Sequence, residues 1–316
     1  MARRWRFGQA KSFIPATTPG SGRDASAAVA KLAAIVYTGS MTQAMDWQGG
    51  VGRAWAEEWQ RTDRTFAQLT PALLATIAAM PGHRVLDIGC GAGELALSLA
   101  AARPKGAVCG IDLSADLIAA AQQRGAGRAN ARFAIADASR WQDPAFTPDL
   151  LVSRHGVMFF ADPPAAFAHL ATVAAPGARL VFSCFRAPAE NAWASAMAGL
   201  APPPAQPADP HAPNPFSPGP FAFADPDHVR AMLAGWTDLV FTPHDFDYLA
   251  GEGPDAAEQA LALFRRIGPA ASALRQAAEA DRAGIEQRLR EVIAAHTRDG
   301  KVSFVAAAWI VTATKA

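Results

Sequence analysis

The chain has 316 residues, 51% of them apolar, and a formal net charge of +1. That is enough apolar material for a sizeable core and too little positive charge for a general nucleic-acid binder. No apolar run approaches the roughly 18 residues a membrane span needs, and no hydrophobic signal core follows the N-terminal arginines. Cys90, Cys109 and Cys184 are too few and too widely spaced for a disulfide framework or a zinc site, which points to a reducing, cytoplasmic setting.

Residues 1–40 carry Arg3, Arg4, Arg6, Lys11, Arg23 and Lys31 against one acid, Asp24. An arginine-rich, acid-poor start has the composition of either a transit peptide or a disordered extension. With no amphipathic period before Val29–Tyr37, the extension is the preferred reading, and Met41 stands where a recognisable pattern begins. Residues 41–80 then read as helical. Trp55 and Trp59 are i,i+4 neighbours, followed on the same face by Phe66, Leu69, Leu73, Leu74 and Ile77. Pro71 is expected to divide this stretch into two helices. Trp47, Trp55 and Trp59 either line a pocket or fill the core.

Pro81-Gly82 turns the chain into Arg84-Val85-Leu86-Asp87-Ile88, a buried strand stopped by Gly89, Gly91 and Gly93. The run from Glu94 to Ala100 has the composition of a helix. Strand, glycine turn and helix together bring backbone N–H groups and a helix N-terminus up to a ligand. The dinucleotide fingerprint Gly-x-Gly-x-x-Gly fits at Gly89 and Gly91 only; its third slot holds Glu94, with Gly93 one place early. A second strand, from Ala107, ends in Asp112, 19 residues past Gly93. A carboxylate there can accept hydrogen bonds from ribose hydroxyls, or cap the helix Ser114–Arg124. Ser114 is the better-placed cap, so ribose binding is favoured. A third strand, from Ala131, leads to Asp137, which is either a ligand contact or a turn residue before Ser139. Trp141 either flanks the ligand or caps the core.

The stretch 149–160 is the fourth strand leaving the core, and it carries Ser153 and His155 toward the edge where such sheets bind ligands. Asp162 and Pro163 open a helix to Val173, and Arg179–Phe185 is the fifth strand. Nine prolines between Pro202 and Pro220 exclude regular helix or central strand. Because the pattern resumes with a helix at Asp225–Leu233 and a strand at Leu239–Tyr248, 186–228 reads as an insertion. Helices are expected at Asp255–Ile267 and Pro269–His296, and a last strand at Val302–Thr314.

Val85-Leu86-Asp87-Ile88-Gly89-Cys90-Gly91-Ala92-Gly93, with Val157-Met158-Phe159-Phe160-Ala161-Asp162-Pro163 and Ala175-Pro176-Gly177-Ala178-Arg179-Leu180-Val181-Phe182, resembles the class I S-adenosylmethionine (SAM)-dependent methyltransferases of the small-molecule, ubiquinone-biosynthesis type. Ala92 departs from the family's usual threonine or serine. The likeness covers most of 41–316, and its specific part is 85–185. It implies an α/β fold: a seven-stranded Rossmann-like sheet with helices on both faces, closed by an antiparallel terminal hairpin. It also implies N-terminal helices (41–80) over the site of an 81–316 SAM-binding domain, and a substrate lid built from insertions at 186–228 and 254–298. SAM is the implied cofactor. Asp87, Gly89, Cys90, Gly91 and Gly93 would meet it at the first turn, and Asp112 and Leu113 at the ribose. Asp137 and the Ala138 N–H would meet the adenine, and Ser153 would sit at the fourth strand's end.

The implied reaction is SN2 methyl transfer to oxygen or carbon of a small molecule, which is largely a matter of placement. His155 is the best-placed histidine, as general base or positioner, against the plainer reading of a structural hydrogen-bonding residue. His211, His244 and His296 are weaker candidates. No Asp/His cluster has metal-ligand spacing. No Asn/Asp-Pro-Pro-aromatic motif for nucleic-acid nitrogen follows the fourth strand, since Asp162-Pro163-Pro164 is followed by Ala165. Two other readings remain, an NAD(P)-dependent oxidoreductase, which Glu94 counts against, and a methyltransferase-like domain that only binds a ligand.

Overall fold

The computed structural model describes residues 44–200 and 218–316. The expectations for residues 1–40 and for most of the proline run therefore lie outside the described residues.

Strands β1 (Arg84–Ile88), β2 (Ala107–Asp112), β3 (Ala131–Ile135), β4 (Leu150–Arg154) and β5 (Arg179–Phe185) run parallel. Beyond β5, strands β6 (Trp236–Glu252) and β8 (Lys301–Lys315) complete the path β3-β2-β1-β4-β5-β8-β6, with β8 antiparallel to both neighbours. The expected seven-strand sheet is present, and a two-residue arm, β7 (Thr297–Arg298), pairs with β8 as an eighth strand. The central strands are apolar throughout because both faces are covered: Val85, Leu86, Leu150, Leu151, Val152, Leu180 and Val181 are all fully buried. Strand order reverses between β1 and β4. That is where an open parallel sheet parts at its carboxyl edge and leaves a crevice.

Among the described residues four helices precede the sheet: α1 (Ala44–Trp47), α2 (Gly50–Glu57), α3 (Trp59–Thr65) and α4 (Leu69–Ala78). The break expected at Pro71 falls instead at residues 66–68. Pro71 occupies the first turn of α4, where its missing N–H has no intrahelical partner to lose. Leu69, Leu73 and Ile77 of α4 are fully buried in the same core as the sheet. Helices α5 (Glu94–Ala102), α6 (Ala115–Arg124) and α7 (Pro163–Val173) are the crossovers. Ser114 caps α6 by accepting the Leu117 N–H at 3.3 Å, and Asp162 caps α7 by accepting the Ala165 N–H at 3.1 Å.

After β5 come a short helix α8 (Ala192–Ser195) and, past the undescribed stretch, α9 (Pro226–Met232). Between β6 and β7 lie α10 (Ala256–Phe264), α11 (Pro269–Gln276) and α12 (Glu279–Ala295), so the single helix expected over 269–296 is two. The chain becomes extended at Ala277 (ψ 144°), letting α11 bury Ala270 and Ala273 while α12 buries Ile285, Leu289 and Ile293. Strand β6 runs well beyond the expected 239–248. Register shifts at Thr237/Val240 and Leu249/Gly251, with Asp238 at φ 54°, blur its alternation in the sequence. Pro243 is tolerated because β6 is the sheet's edge strand.

Candidate active site

At the carboxyl ends of β1, β2 and β4 lies a cavity of about 720 Å³, within the range of small-molecule sites. The glycine turn is shaped by two different needs. At Gly89 (φ 63°) an added Cβ would stand 2.9 Å from the Gly156 Cα, so the turn after β1 and the turn after β4 touch backbone to backbone. At Gly91 (φ 54°) an added Cβ would meet nothing within 4 Å, and Gly91 lines the cavity. There the missing side chain leaves open space for a ligand.

Three acids from successive strand ends share this cavity: Asp87, Asp112 and Asp137. Asp87 is 1% exposed, and among the described residues neither of its carboxylate oxygens has a hydrogen-bond partner of normal geometry. Burial pushes its carboxyl up to about 7, against the pull of the Arg154 guanidinium and the approach of the Ala96 N–H. An orphaned buried carboxylate facing a cavity is a group prepared for a cationic or hydrogen-bonding partner. Asp112 is half-buried. It accepts the Gly91 N–H at 3.0 Å and the Ser114 N–H at 2.9 Å, which tie it to both turns and offset part of the upward push that burial gives it. Each oxygen keeps a lone pair for a further donor. Asp137 is exposed and forms an Asx turn, accepting the Ser139 N–H at 2.9 Å and hydroxyl at 2.7 Å, while still facing the cavity. The turn reading and the ligand reading of Asp137 thus hold together. Cys90, Leu113 and Ala138 also line the cavity.

Gly93 and Ser153 do not. Gly93 (φ 86°) is the left-handed residue preceding α5, and a Cβ there would lie 3.1 Å from Ala121 and the Phe133 ring; it is glycine for helix packing. Ser153 is fully buried. Its hydroxyl donates to the Ile88 carbonyl at 2.7 Å and accepts the Gly156 N–H at 3.1 Å, which pins the β4 turn against β1. Strand alternation sends Ser153 into the sheet and the next side chain toward the site. Trp141 is buried against Phe146 rather than beside the cavity. Of the N-terminal tryptophans, Trp47 and Trp55 line the cavity, whereas Trp59 lies under the Arg124 guanidinium at 3.8 Å.

Away from the strand-tip acids the walls are aromatic: Phe66, Phe159, Phe185, Trp193 and Tyr248, with Trp193 stacked on Tyr248 at 5.5 Å between centroids. Trp193, Pro218 and Pro220, and Ile267 and Gly268, from the two stretches expected to be insertions, also line the cavity. His155 stands here, 7% exposed, with Nδ1 2.7 Å from the Ser183 Oγ and Nε2 buried without a partner among the described residues. Burial, helped by neighbouring Arg154, pushes the ring down to about 3. A ring held that far down is neutral near pH 7 and a poor proton acceptor, which counts against a general base and is compatible with the positioner also expected of it.

A charged clamp beside the cavity has no signature in the sequence. Arg154 at the end of β4 pairs with Glu94 of α5, with Asp63 of α3 at 3.3 Å and with the Thr70 hydroxyl at 2.8 Å. Arg124 of α6 holds the other oxygen of Asp63 at 2.8 Å and also donates to the Ala92 carbonyl. Burial and the nearby Asp63 push the Glu94 carboxyl up while Arg154 pulls it down. The residue in the third glycine slot is therefore one end of a bridge from the glycine turn to the N-terminal helices. Arg154 lies 60 positions from Glu94, 84 from Thr70 and 91 from Asp63, and only the fold brings them together.

A family model described as a methyltransferase domain matches residues 58–219, just over half of the chain. Trans-aconitate 2-methyltransferase of Klebsiella pneumoniae is 36% identical over 98 residues, 31% of this chain and 37% of the relative. Demethylmenaquinone methyltransferase of Thermus thermophilus is 35% identical over 111 residues, 35% of this chain and 50% of the relative. The chain thus spans half or less of the length of these curated relatives. Among solved structures, magnesium protoporphyrin IX methyltransferase of Synechocystis is similar at a TM-score of 0.45 and 16% identity, over 84% of this chain and 98% of that one. On the extent of that domain match, the chain belongs to the methyltransferase-domain family.

Proposed function

We propose that this chain transfers the methyl group of SAM to an oxygen or carbon atom of a small molecule. The observation that carries the reading is the meeting of Asp87, Asp112 and Asp137 with the bare Gly91 turn on one cavity whose far end is aromatic. These residues fit SAM group by group. The orphaned Asp87 carboxylate would face the amino-acid end, Asp112 the ribose hydroxyls, and Asp137 with the Ala138 N–H the adenine edge. Gly91 would leave room for the chain between them. When bound, SAM supplies a methyl group already activated by its sulfonium charge.

What remains for the protein is placement and the exclusion of water. Trp47, Trp55 and Phe159, in edge-on contact at 5.0 to 5.6 Å between centroids, close the cavity from the N-terminal side. Phe66, Phe185 and Trp193 offer apolar walls for the acceptor, and His155 Nε2 offers it one polar point. A cytoplasmic setting fits the three buried free thiols, and among the described residues no helix is long and apolar enough to cross a membrane. Calorimetric titration tests the reading. SAM and S-adenosylhomocysteine are expected to bind and NADPH is not; binding of NADPH alone would overturn it. Transfer of label from methyl-labelled SAM into a metabolite extract then separates an enzyme from a domain that only binds.

A further inference from the structure

His155 leaves β4 in the left-handed region (φ 64°), which a non-glycine residue adopts only where its surroundings enforce it. The result is a ring turned into the cavity, wedged edge-on against Phe185 at 4.1 Å and tilted over Phe66 at 5.1 Å between centroids. Its backbone N–H donates to the Ser183 carbonyl at 3.1 Å and its Nδ1 meets the Ser183 hydroxyl at 2.7 Å, so one residue of β5 holds both backbone and ring. Ser183 is fully buried, and among the described residues the ring is the only hydrogen-bond partner of its hydroxyl.

The proton count follows from that. A serine hydroxyl has one proton and two lone pairs, and a neutral imidazole has one N–H and one lone pair. If Nδ1–H donated to Ser183, the hydroxyl proton would be left in a dry interior with no acceptor, an unmade hydrogen bond that folded proteins avoid. If the hydroxyl donates to Nδ1, its proton is used and the ring's own proton sits on Nε2. That nitrogen is buried with no partner among the described residues, on a ring that lines the cavity.

Resting on the methyltransferase reading, we infer that Ser183 is a positioning residue that fixes His155 as a neutral hydrogen-bond donor through Nε2, and that the acceptor substrate brings an enolate or phenolate oxygen to that N–H. The class follows from the geometry. A lone buried donor among Phe66, Phe185 and Trp193 demands an oxygen lone pair on an otherwise apolar, flat molecule. It also favours the form whose oxygen already carries charge. Sites built to satisfy one polar atom strongly reject analogues that lack it. On this account His155 does not take the substrate's proton; it stabilises the anion and aims its nucleophilic oxygen or conjugated carbon.

The ring's proton can be located directly. In the full chain, labelled with nitrogen-15 at histidine, long-range proton–nitrogen correlation at neutral pH distinguishes Nδ1 from Nε2, and the His155→Gln spectrum identifies the signal. The expected result is a proton on Nε2 alone in the parent and in Ser183→Thr, and a shared or moved proton in Ser183→Ala. A proton on Nδ1 in the parent, an imidazolium, or a folded Ser183→Ala chain with an unchanged spectrum would overturn the inference. Should Ser183→Ala fail to fold, the parent and Ser183→Thr spectra decide it. Titrating the same samples with SAM separates the two readings. Lost SAM binding with Nε2 protonated removes the methyltransferase reading alone, and intact binding with Nδ1 protonated removes this inference alone.

Discussion

Folding takes up a proton at Asp87. Its carboxyl is raised from 3.8 to about 7, so between those values the folded state holds a proton that the unfolded state has released. The sign is then fixed: this group's contribution to stability falls as pH rises through that window and stays lost above it. Three units amount to at most about 4 kcal/mol. The ligand-free Asp87→Asn variant is expected to melt with the parent near pH 4 and above it near pH 7, while losing SAM affinity. Melting curves at the two pH values check this, and parallel behaviour would sink it. Gly91→Ala complements it. The left-handed angle costs a non-glycine residue about 1–2 kcal/mol, and the new methyl group meets no atom of the described residues within 4 Å, so a modest stability loss should accompany a SAM affinity at least about tenfold weaker. In Gly89→Ala the added Cβ meets the Gly156 backbone, and the larger loss should be in stability, read by urea unfolding. Asp87, Asp112 and Asp137 were legible because each lies within a few residues of its own strand end. Ser153, expected at the site, is buried away from the cavity lining, because a sequence shows that a residue nears an edge but not which face of the strand it takes.

Between elements, the Arg154 clamp joins α3, α5 and β4 through side chains that are 16–22% exposed. Replacing Arg154 by Met leaves Asp63 and Glu94 facing each other with Arg124 as the one remaining cation. Removing one partner of a fully buried pair costs about 3–5 kcal/mol, and the partial exposure here puts the loss at or below the lower end of that range. The urea midpoint should fall accordingly with the slope unchanged, and adding Asp63→Asn should recover part of the loss; an unchanged midpoint would show that the pairs contribute nothing. The same clamp explains which elements the sequence revealed. The β1–α5–β2–α6 and β4–α7–β5 units carry their own punctuation in glycines, caps and apolar runs, so their order is readable, but the strand expected over 149–160 ends at Arg154, where His155 turns left-handed and residues 157–159 form a 3-10 turn. The breaks after Glu57 and Thr65 carry neither glycine nor proline. They are set by where Asp63 must reach Arg124 and Arg154 and by Trp59 lying under Arg124. The length of β6 was hidden for the opposite reason. Asp238 and Gly251 flank the expected 239–248 like strand ends, but register shifts at Thr237/Val240 and Leu249/Gly251 carry the pairing past them.

At the scale of the whole molecule, the N-terminal helices do not behave as one detachable cover. Helix α2 rests on the start of α6, close enough that a Cβ on Gly52 would strike the Ser114 side chain, and Arg53 reaches Asp116 at 3.7 Å. Its contribution to the site is Trp55, beside Trp47. Helix α4 instead places Leu69, Leu73 and Ile77 in the central core. Fully burying such side chains stabilises by about 1.5–3 kcal/mol each, so those three together approach the whole stability of an ordinary domain, about 5–15 kcal/mol. A chain beginning at Glu58 keeps α3, α4 and the Arg154 clamp, and should fold cooperatively while binding SAM more weakly, because the Trp47–Trp55 wall is gone. A chain beginning at Pro81 loses α4 and leaves Arg154 without Asp63 and Thr70, and should not fold. Circular dichroism and thermal melting of the two truncations decide the matter. A cooperative native-like transition in the shorter chain would mean that the sheet and its remaining helices hold together without α4, and that the functional boundary lies at residue 80, not inside the helical stretch.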